Sequence, residues 1–270
     1  MDNTDIEDLR YLMQRLRNPE TGCPWDLKQT FSSIVPYTLE EVYEVVDTID
    51  REDYPHLKEE LGDLLFQVIF YSQLAEEQSL FSFEDIVSTL VEKLVLRHPH
   101  VFPDKTLESE RGTDAISSEP AIKETWEAIK KSERQEKGFY SILADIPSSL
   151  PALTRAQKLQ KRASNHGFDW PSVEGVLDKL DEENNELKEA LIVDEPGHIE
   201  EELGDLMFTL VNLCRHLNID AETSLRKASR KFENRVHYVE ESVQAKGQKL
   251  KETDLENLDK LWEEAKEKQA

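Results

Sequence analysis

The chain has 270 residues, is 38% hydrophobic and 33% charged, and carries a formal charge of −24 at pH 7. That charge excludes broad attraction to a nucleic-acid backbone, and an anionic small substrate requires metal ions or a local basic pocket. Two cysteines exclude a disulfide framework, and the longest apolar runs, 64–71 and 206–214, are far too short to span a bilayer.

The first residues, Met1-Asp2-Asn3-Thr4-Asp5, lack the basic region and apolar stretch of a signal peptide. Cys214 lies in an apolar run and reads as a buried thiol, so a cytoplasmic protein is expected. Leu39, Val42, Tyr43, Val46 and Ile49 follow helical spacing, and this predicted helix carries Glu40, Glu41 and Glu44 on the flank of its apolar face. Leu61, Leu64, Leu65 and Val68 mark a second helix, carrying Glu60 and Asp63. Ile86, Leu90, Lys93, Leu94 and Arg97 mark a third. Pro103–Pro120 has little apolar periodicity and is expected to be a mobile loop, and Trp126-Glu-x-x-Lys130 follows it.

Gly138 to Pro151 reads as a linker with some apolar anchoring, and beyond it the pattern recurs. Glu182-Glu183-x-x-Glu186 repeats Glu40-Glu41-x-x-Glu44, and Glu202-Leu-Gly-Asp205 repeats Glu60-Leu-Gly-Asp63, both by the same step along the chain. Lys231-x-x-x-Arg235 echoes Lys93-x-x-x-Arg97, and Trp262-Glu-x-x-Lys266 echoes Trp126-Glu-x-x-Lys130. Four features in one order predict a duplication, with domains at 1–135 and 151–270 and a linker over 136–150. The expected fold class is all-α, built from antiparallel helix pairs in each half.

The acids carry the chemical argument. Glu60 and Asp63 are three apart on a helix and fall inside an apolar stripe; Glu202 is bracketed in the same way by Leu206 and Leu213. A buried, unpaired carboxylate costs several kcal/mol, and a divalent cation between two helices compensates it. Four carboxylates without His or Cys are hard oxygen donors suited to Mg²⁺ or Mn²⁺ rather than Zn²⁺. Gly62 and Gly204, in mid-helix, suggest a close helix approach at the site. A structural reading stands beside this one: acid-rich helices ordinarily face solvent, and Thr38-x-x-Glu41 has the form of a capping box. Lys231 with Arg235, or Lys93 with Arg97, share a helical face and could clamp phosphate oxygens, or simply form surface pairs. Trp262 and Lys266 could meet a base and a phosphate, or Trp262 could anchor the last helix.

At this point the chain resembles the MazG family. The resemblance rests on Leu16-Arg17-x-Pro19-x-x-Gly22-Cys23-Pro24-Trp25-Asp26, Tyr37-Thr38-Leu39-Glu40-Glu41-x-Tyr43-Glu44, Glu60-Leu-Gly-Asp-Leu-Leu-Phe66 and Arg97-His98-Pro99-His100-Val101-Phe102. In the second half it rests on Arg155-Ala-Gln-Lys158, Gly167-Phe-Asp-Trp170, Glu182-Glu-x-x-Glu186 and Glu202-Leu-Gly-Asp205.

The resemblance implies an all-α nucleoside triphosphate pyrophosphohydrolase whose helix pairs complete bundles by homodimerisation. It implies conversion of NTPs or dNTPs to the monophosphate and pyrophosphate, with broad base tolerance and a role in removing aberrant nucleotides. By resemblance the Mg²⁺ ligands and catalytic acids are Glu183, Glu186, Glu202 and Asp205, with Glu41, Glu44, Glu60 and Asp63 as the metal set of the first copy. Lys179, Glu182, Lys231, Arg235 and Trp262 are implied to bind substrate, with Lys93, Arg97 and Trp126 in the first copy. His198 stands where similar sequences often carry a basic residue. Neither a nucleic acid nor a membrane is an expected partner. The second copy is favoured as the catalytic one because its acids, Lys231, Arg235 and Trp262 lie in one compact stretch. Two other functions fit the same residues: a regulatory protein that binds Mg²⁺–NTP without turnover, and an acidic helical scaffold.

Overall fold

The computed structural model describes residues 4–110, 118–136, 138 and 140–268, and among these it contains helices and turns but no strand. It divides into two compact units, Met1–Lys131 and Ser132–Ala270. The first contains α1 (Ile6–Leu16), α2 (Val35–Asp50), α3 (Tyr54–Glu77) and α4 (Phe83–Arg97); α5 (Glu119–Glu136) runs over the division. The second contains α6 (Ala152–Ser164), α7 (Val173–Val193), α8 (Pro196–His216), α9 (Ala221–Ala245) and α10 (Leu255–Lys268). Part of the expected Pro103–Pro120 loop lies outside the described residues; 101–110 form turns and bends, and α5 begins at Glu119.

Local chemistry sets the helix ends. Asp5 and Asp8 form a reciprocal capping box at α1, and Ser82 and Asp85 form one at α4. Asp53 caps α3 by accepting from the backbone N–H of His56 at 3.3 Å, and Pro55 occupies its first turn, where a missing N–H costs nothing. The two central hairpins, α2–α3 and α7–α8, turn through the same backbone device. Glu52 and Asp194, at matching positions of the repeat, sit in the left-handed region at φ 57° and 58°.

The capping box read at Thr38-x-x-Glu41 does not form. α2 already begins at Val35, and the Thr38 hydroxyl donates to the Ile34 carbonyl at 3.1 Å and meets the Tyr71 hydroxyl at 3.0 Å. Pro36 in the first turn moves the helix start upstream of the threonine, which leaves Glu41 free of a capping role.

In the first unit the core lies where α1 and the 17–34 segment pack on α3. Met13, Ile34, Ile69, Phe70 and Leu74 are buried together, with Phe31, Phe66 and Tyr71 against them. Arg17 ties this layer, pairing with Glu77 at 2.6 Å and donating to the Asp26 carbonyl. In the second unit α9 and α10 bury Val239, Val243 and Leu261, with Trp262 at the margin. Much apolar surface of the central hairpins stays in water: Leu39, Val42, Leu61 and Leu65 in one unit, Leu203 and Met207 in the other, are all exposed.

Candidate metal centre and nucleotide site

Helical spacing puts Glu41 on α2 and Glu60 with Asp63 on α3, and the hairpin brings the two helices face to face. Single carboxylate oxygens of Glu41, Glu60 and Asp63 all lie within 4.8 Å of one another. Glu60 is buried, Glu41 half-buried and Asp63 exposed. Glu44, three residues further along α2, is not part of this trio, but its charge acts on the Glu60 carboxyl. Burial first, then repulsion from Asp63, Glu44 and Glu60, pushes the Glu41 carboxyl above the ordinary carboxylate range. Burial and Glu44 likewise raise Glu60, while the nearby His56 opposes the rise.

The second unit builds a related cluster, with two acids from α7 and one from α8. Oxygens of Glu183, Glu186 and Glu202 lie within 4.8 Å of one another. Asp205, three residues beyond Glu202, does not join this trio, so the structure gathers three of the four expected acids. Burial raises the Glu186 carboxyl; Lys179 opposes this, and Glu183 and Glu202 add to it. Lys179 reaches Glu183 at 2.8 Å and Glu182 at 3.0 Å, and those hydrogen bonds hold its ammonium charged well above the usual lysine range. In the first unit the corresponding position of the repeat is Tyr37. The two clusters therefore differ in charge.

These donors fit a hard divalent cation. All are carboxylate oxygens, and an octahedral oxygen site needs its ligands roughly 3–4 Å apart. Carboxyls that repel one another in a half-buried hairpin are stabilised by a proton or by a cation, and the raised values record the demand for one.

The sequence reading overlooked one recurrent pair. His56 Nε2 lies 2.7 Å from Glu60 Oε1, and His198 Nε2 lies 3.0 Å from Glu202 Oε1, each at i,i+4. The two histidines are separated by the same step as the acid motifs, and that was the available signal. The glycine expectation is corrected: a Cβ built on Gly62 or Gly204 meets nothing within 4 Å, so neither permits a close approach within the chain. Cys214 is half-buried rather than buried.

The expected phosphate and base residues form a second group. Arg235 lies over the Trp262 ring at 5.6 Å from its centroid, and Phe232 flanks the same ring at 5.5 Å. Lys231 is exposed on α9. Lys266 pairs with Glu263. In the first unit Lys93 is exposed and Arg97 half-buried on α4, and Trp126 meets His98 at 5.2 Å while its Nε1 lacks a hydrogen-bond partner. Among the described contacts none joins Lys231, Arg235 or Trp262 to the carboxylates.

A family model described as "MazG nucleotide pyrophosphohydrolase domain" matches residues 29–102 and again 172–240. The two segments contain both acid clusters and both Lys-x-x-x-Arg pairs, and leave Trp126 and Trp262 outside. The chain is 50% identical to "Nucleoside triphosphate pyrophosphohydrolase" of Escherichia coli (strain K12), over 97% of each chain. It is 45% identical to "Nucleoside triphosphate pyrophosphohydrolase/pyrophosphatase MazG" of Thermotoga maritima, over 97% of this chain and 95% of that one. The crystal structure of a mazG-related protein from Thermotoga maritima aligns with 47% of this chain and 99% of its own, at 23% identity and a TM-score of 0.39. With one motif set matched twice and both long relatives covered nearly end to end, the chain belongs to the MazG nucleotide pyrophosphohydrolase family.

Proposed function

We propose that this chain hydrolyses nucleoside triphosphates to the monophosphate and pyrophosphate, using Mg²⁺ (Mn²⁺ as a substitute) held by Glu183, Glu186, Glu202 and Asp205. The observation that carries the reading is the all-carboxylate cluster, built twice on the same hairpin inside the segments matched by the family model. The ion supplies charge to the triphosphate oxygens and acidity to a bound water when present.

The chain's residues do the rest. A carboxylate of the cluster orients water towards the α-phosphorus and takes its proton; the new P–O bond forms as the bond from the α-phosphorus to the bridging oxygen breaks, and pyrophosphate carries the electron pair away. Lys179, kept charged by Glu182 and Glu183, and Lys231 with Arg235 neutralise phosphate oxygens. Trp262 presents a ring to the nucleotide, with Arg235 already seated on it. We assign turnover to the second unit, because Lys179 has Tyr37 as its counterpart in the first. There Glu41, Glu44, Glu60 and Asp63 form a second metal set, with Lys93, Arg97 and Trp126 beside it in sequence.

The same reading has the protein acting in the cytoplasm as a homodimer, since the exposed apolar faces around Leu61, Leu65, Leu203 and Met207 call for cover. Among the described residues, no helix is long and apolar enough to cross a membrane. The test is product identity with Mg²⁺ present: equal amounts of nucleoside monophosphate and pyrophosphate are expected, whereas diphosphate and orthophosphate contradict the assigned bond cleavage.

A further inference from the structure

Arg235 is left in an uncommon state for so acidic a chain. Acids outnumber lysines and arginines by 57 to 33, yet among the described residues no carboxylate pairs with this half-buried guanidinium. It lies over the Trp262 ring, and its Nε is buried without an acceptor. A buried donor without an acceptor is destabilising, and the facing helix α10 carries Glu256, Asp259, Glu263, Glu264 and Glu267. Acids are at hand, so the lack of a partner needs a cause.

The cause lies one turn away. Tyr238 is three residues beyond Arg235 on α9, so the two side chains are neighbours on one helical face, and both reach α10. Tyr238 Oη donates to Glu264 Oε2 at 3.1 Å and accepts from Lys268 Nζ at 2.9 Å; the ammonium also stands 4.5 Å from the tyrosine ring centroid. Lys268 is four residues beyond Glu264, a spacing at which it attracts that carboxylate directly as well. Glu263 and Glu256 are taken by Lys266 at 2.5 Å and Lys260 at 2.8 Å.

This polar chain is not what holds the helices together. Glu264 and Lys268 are exposed, and exposed pairs of this kind add little to stability. α10 is fastened to α9 by Val239, Val243 and Leu261. The consequence of the chain is electrostatic: it fixes where the Glu264 charge sits. The repeat supports this. In the first unit the places of Tyr238, Glu264 and Lys268 fall to His100, Ala128 and Ser132, so the acid and both of its keepers are absent together.

We propose that Tyr238 and Lys268 are positioning residues for the substrate: by holding Glu264 they keep it off Arg235, and so leave that guanidinium open to a triphosphate oxygen. The inference rests on the hydrolase reading, with Arg235 as a phosphate contact, and adds the device that keeps this contact available.

The test uses the full chain with Mg²⁺ and a nucleoside triphosphate whose α–β bridge is a methylene, its Kd read by calorimetry, beside steady-state kinetics with the corresponding natural triphosphate. An acid that must leave Arg235 before phosphate binds raises the apparent Kd according to the fraction of sites it blocks, and leaves kcat alone. Tyr238→Phe with Lys268→Met is expected to raise Kd and KM about 3- to 6-fold at unchanged kcat, the scale of a partly exposed ion pair. Each single variant should give part of that rise, so the test survives a double variant that fails to fold. Adding Glu264→Gln to the double variant should bring Kd and KM back to within about 2-fold of wild type. Unchanged affinity in the folded double variant overturns the proposal. So does a loss of affinity that Glu264→Gln does not reverse, which makes the polar chain a fastening for α10, or a loss caused by Glu264→Gln alone. The expected pattern of Kd in a wild type that releases no pyrophosphate supports the proposal and overturns the hydrolase reading alone. A wild type that binds no analogue overturns both.

Discussion

Glu60 shows what one side chain demands of its surroundings. It is buried and faces Glu44 and Asp63, and among the described residues His56 is the group that opposes them. The carboxyls of Glu41, Glu60 and Glu186 stand above their ordinary value of 4.5, so the folded chain holds more protons than the unfolded chain near that pH. Their contribution to metal-free stability is present below pH 4.5 and lost as pH rises through the raised values. A cation reverses this by replacing the protons. Melting curves against pH should therefore show Mg²⁺ or Mn²⁺ stabilising the chain strongly at pH 7 and little near pH 4.5. At a hundredfold excess over Kd the expected gain is about 2.7 kcal/mol. Equal stabilisation at both pH values would contradict a carboxylate site. Glu60→Gln should raise the melting temperature of the metal-free chain and reduce the metal-induced increase; a lower metal-free melting temperature would contradict the repulsion described above.

At this scale the sequence was legible where helical period and residue type sufficed. Glu41, Glu60, Glu183, Glu186 and Glu202 converge because each pair lies three or four residues apart, or across one short hairpin. Thr38 misled because the true helix start depends on Pro36 upstream, and Gly62 because its bare side faces away from the unit. Asp205 has the same spacing from Glu202 as Asp63 has from Glu60, yet only Asp63 belongs to its trio, a difference the repeat does not announce.

Among the elements, the central hairpins were readable from their periodic stretches, whereas the layer packed on them was not. What covers α3 is a long irregular segment held by one buried arginine. The Arg17 side chain is 6% exposed and that of Glu77 34%, and the pair holds the Glu77 carboxyl below its ordinary value. Replacing Arg17 by Met removes this pair and one of the two hydrogen bonds that the Asp26 carbonyl accepts, the other coming from the Gln29 N–H. A loss of roughly 2–4 kcal/mol in denaturant unfolding is expected; a change under about 0.5 kcal/mol would show that the segment is held by packing alone. On α8 the corresponding tie is Asp169 with Arg215 and His216. Burial pushes the Asp169 carboxyl up, but these two partners outweigh it and hold it below 3.8. That contribution is present above pH 3.8 and fades as pH falls through the depressed value. Asp169→Asn should destabilise the second unit at neutral pH and flatten its acid unfolding curve.

For the whole molecule, duplication is the organising fact, and it was the most legible feature because one constant step relates the acid motifs, the paired histidines and the hairpin turns, with the Lys-x-x-x-Arg and Trp motifs following in the same order. The copies diverge where sequence alone gave least warning: Tyr37 against Lys179, and Ala128 against Glu264. The exposed apolar faces of the central hairpins lead to a prediction about assembly. Sedimentation should find a dimer, and Leu65→Glu together with Met207→Glu should shift it to monomer; a wild-type chain monomeric at micromolar concentration would contradict the proposed bundle.

The most direct measurement is pyrophosphate release from a mixed NTP and dNTP panel, with and without Mg²⁺, for the wild type beside Glu60→Gln and Glu202→Gln. Mg²⁺-dependent release that Glu202→Gln reduces at least about 100-fold and Glu60→Gln leaves largely intact is the predicted result, since an essential ligand to a catalytic ion is removed in only one unit. Release that survives Glu202→Gln and disappears in Glu60→Gln would move catalysis to the first unit, and no release from the wild type with any nucleotide would contradict the proposed hydrolysis itself.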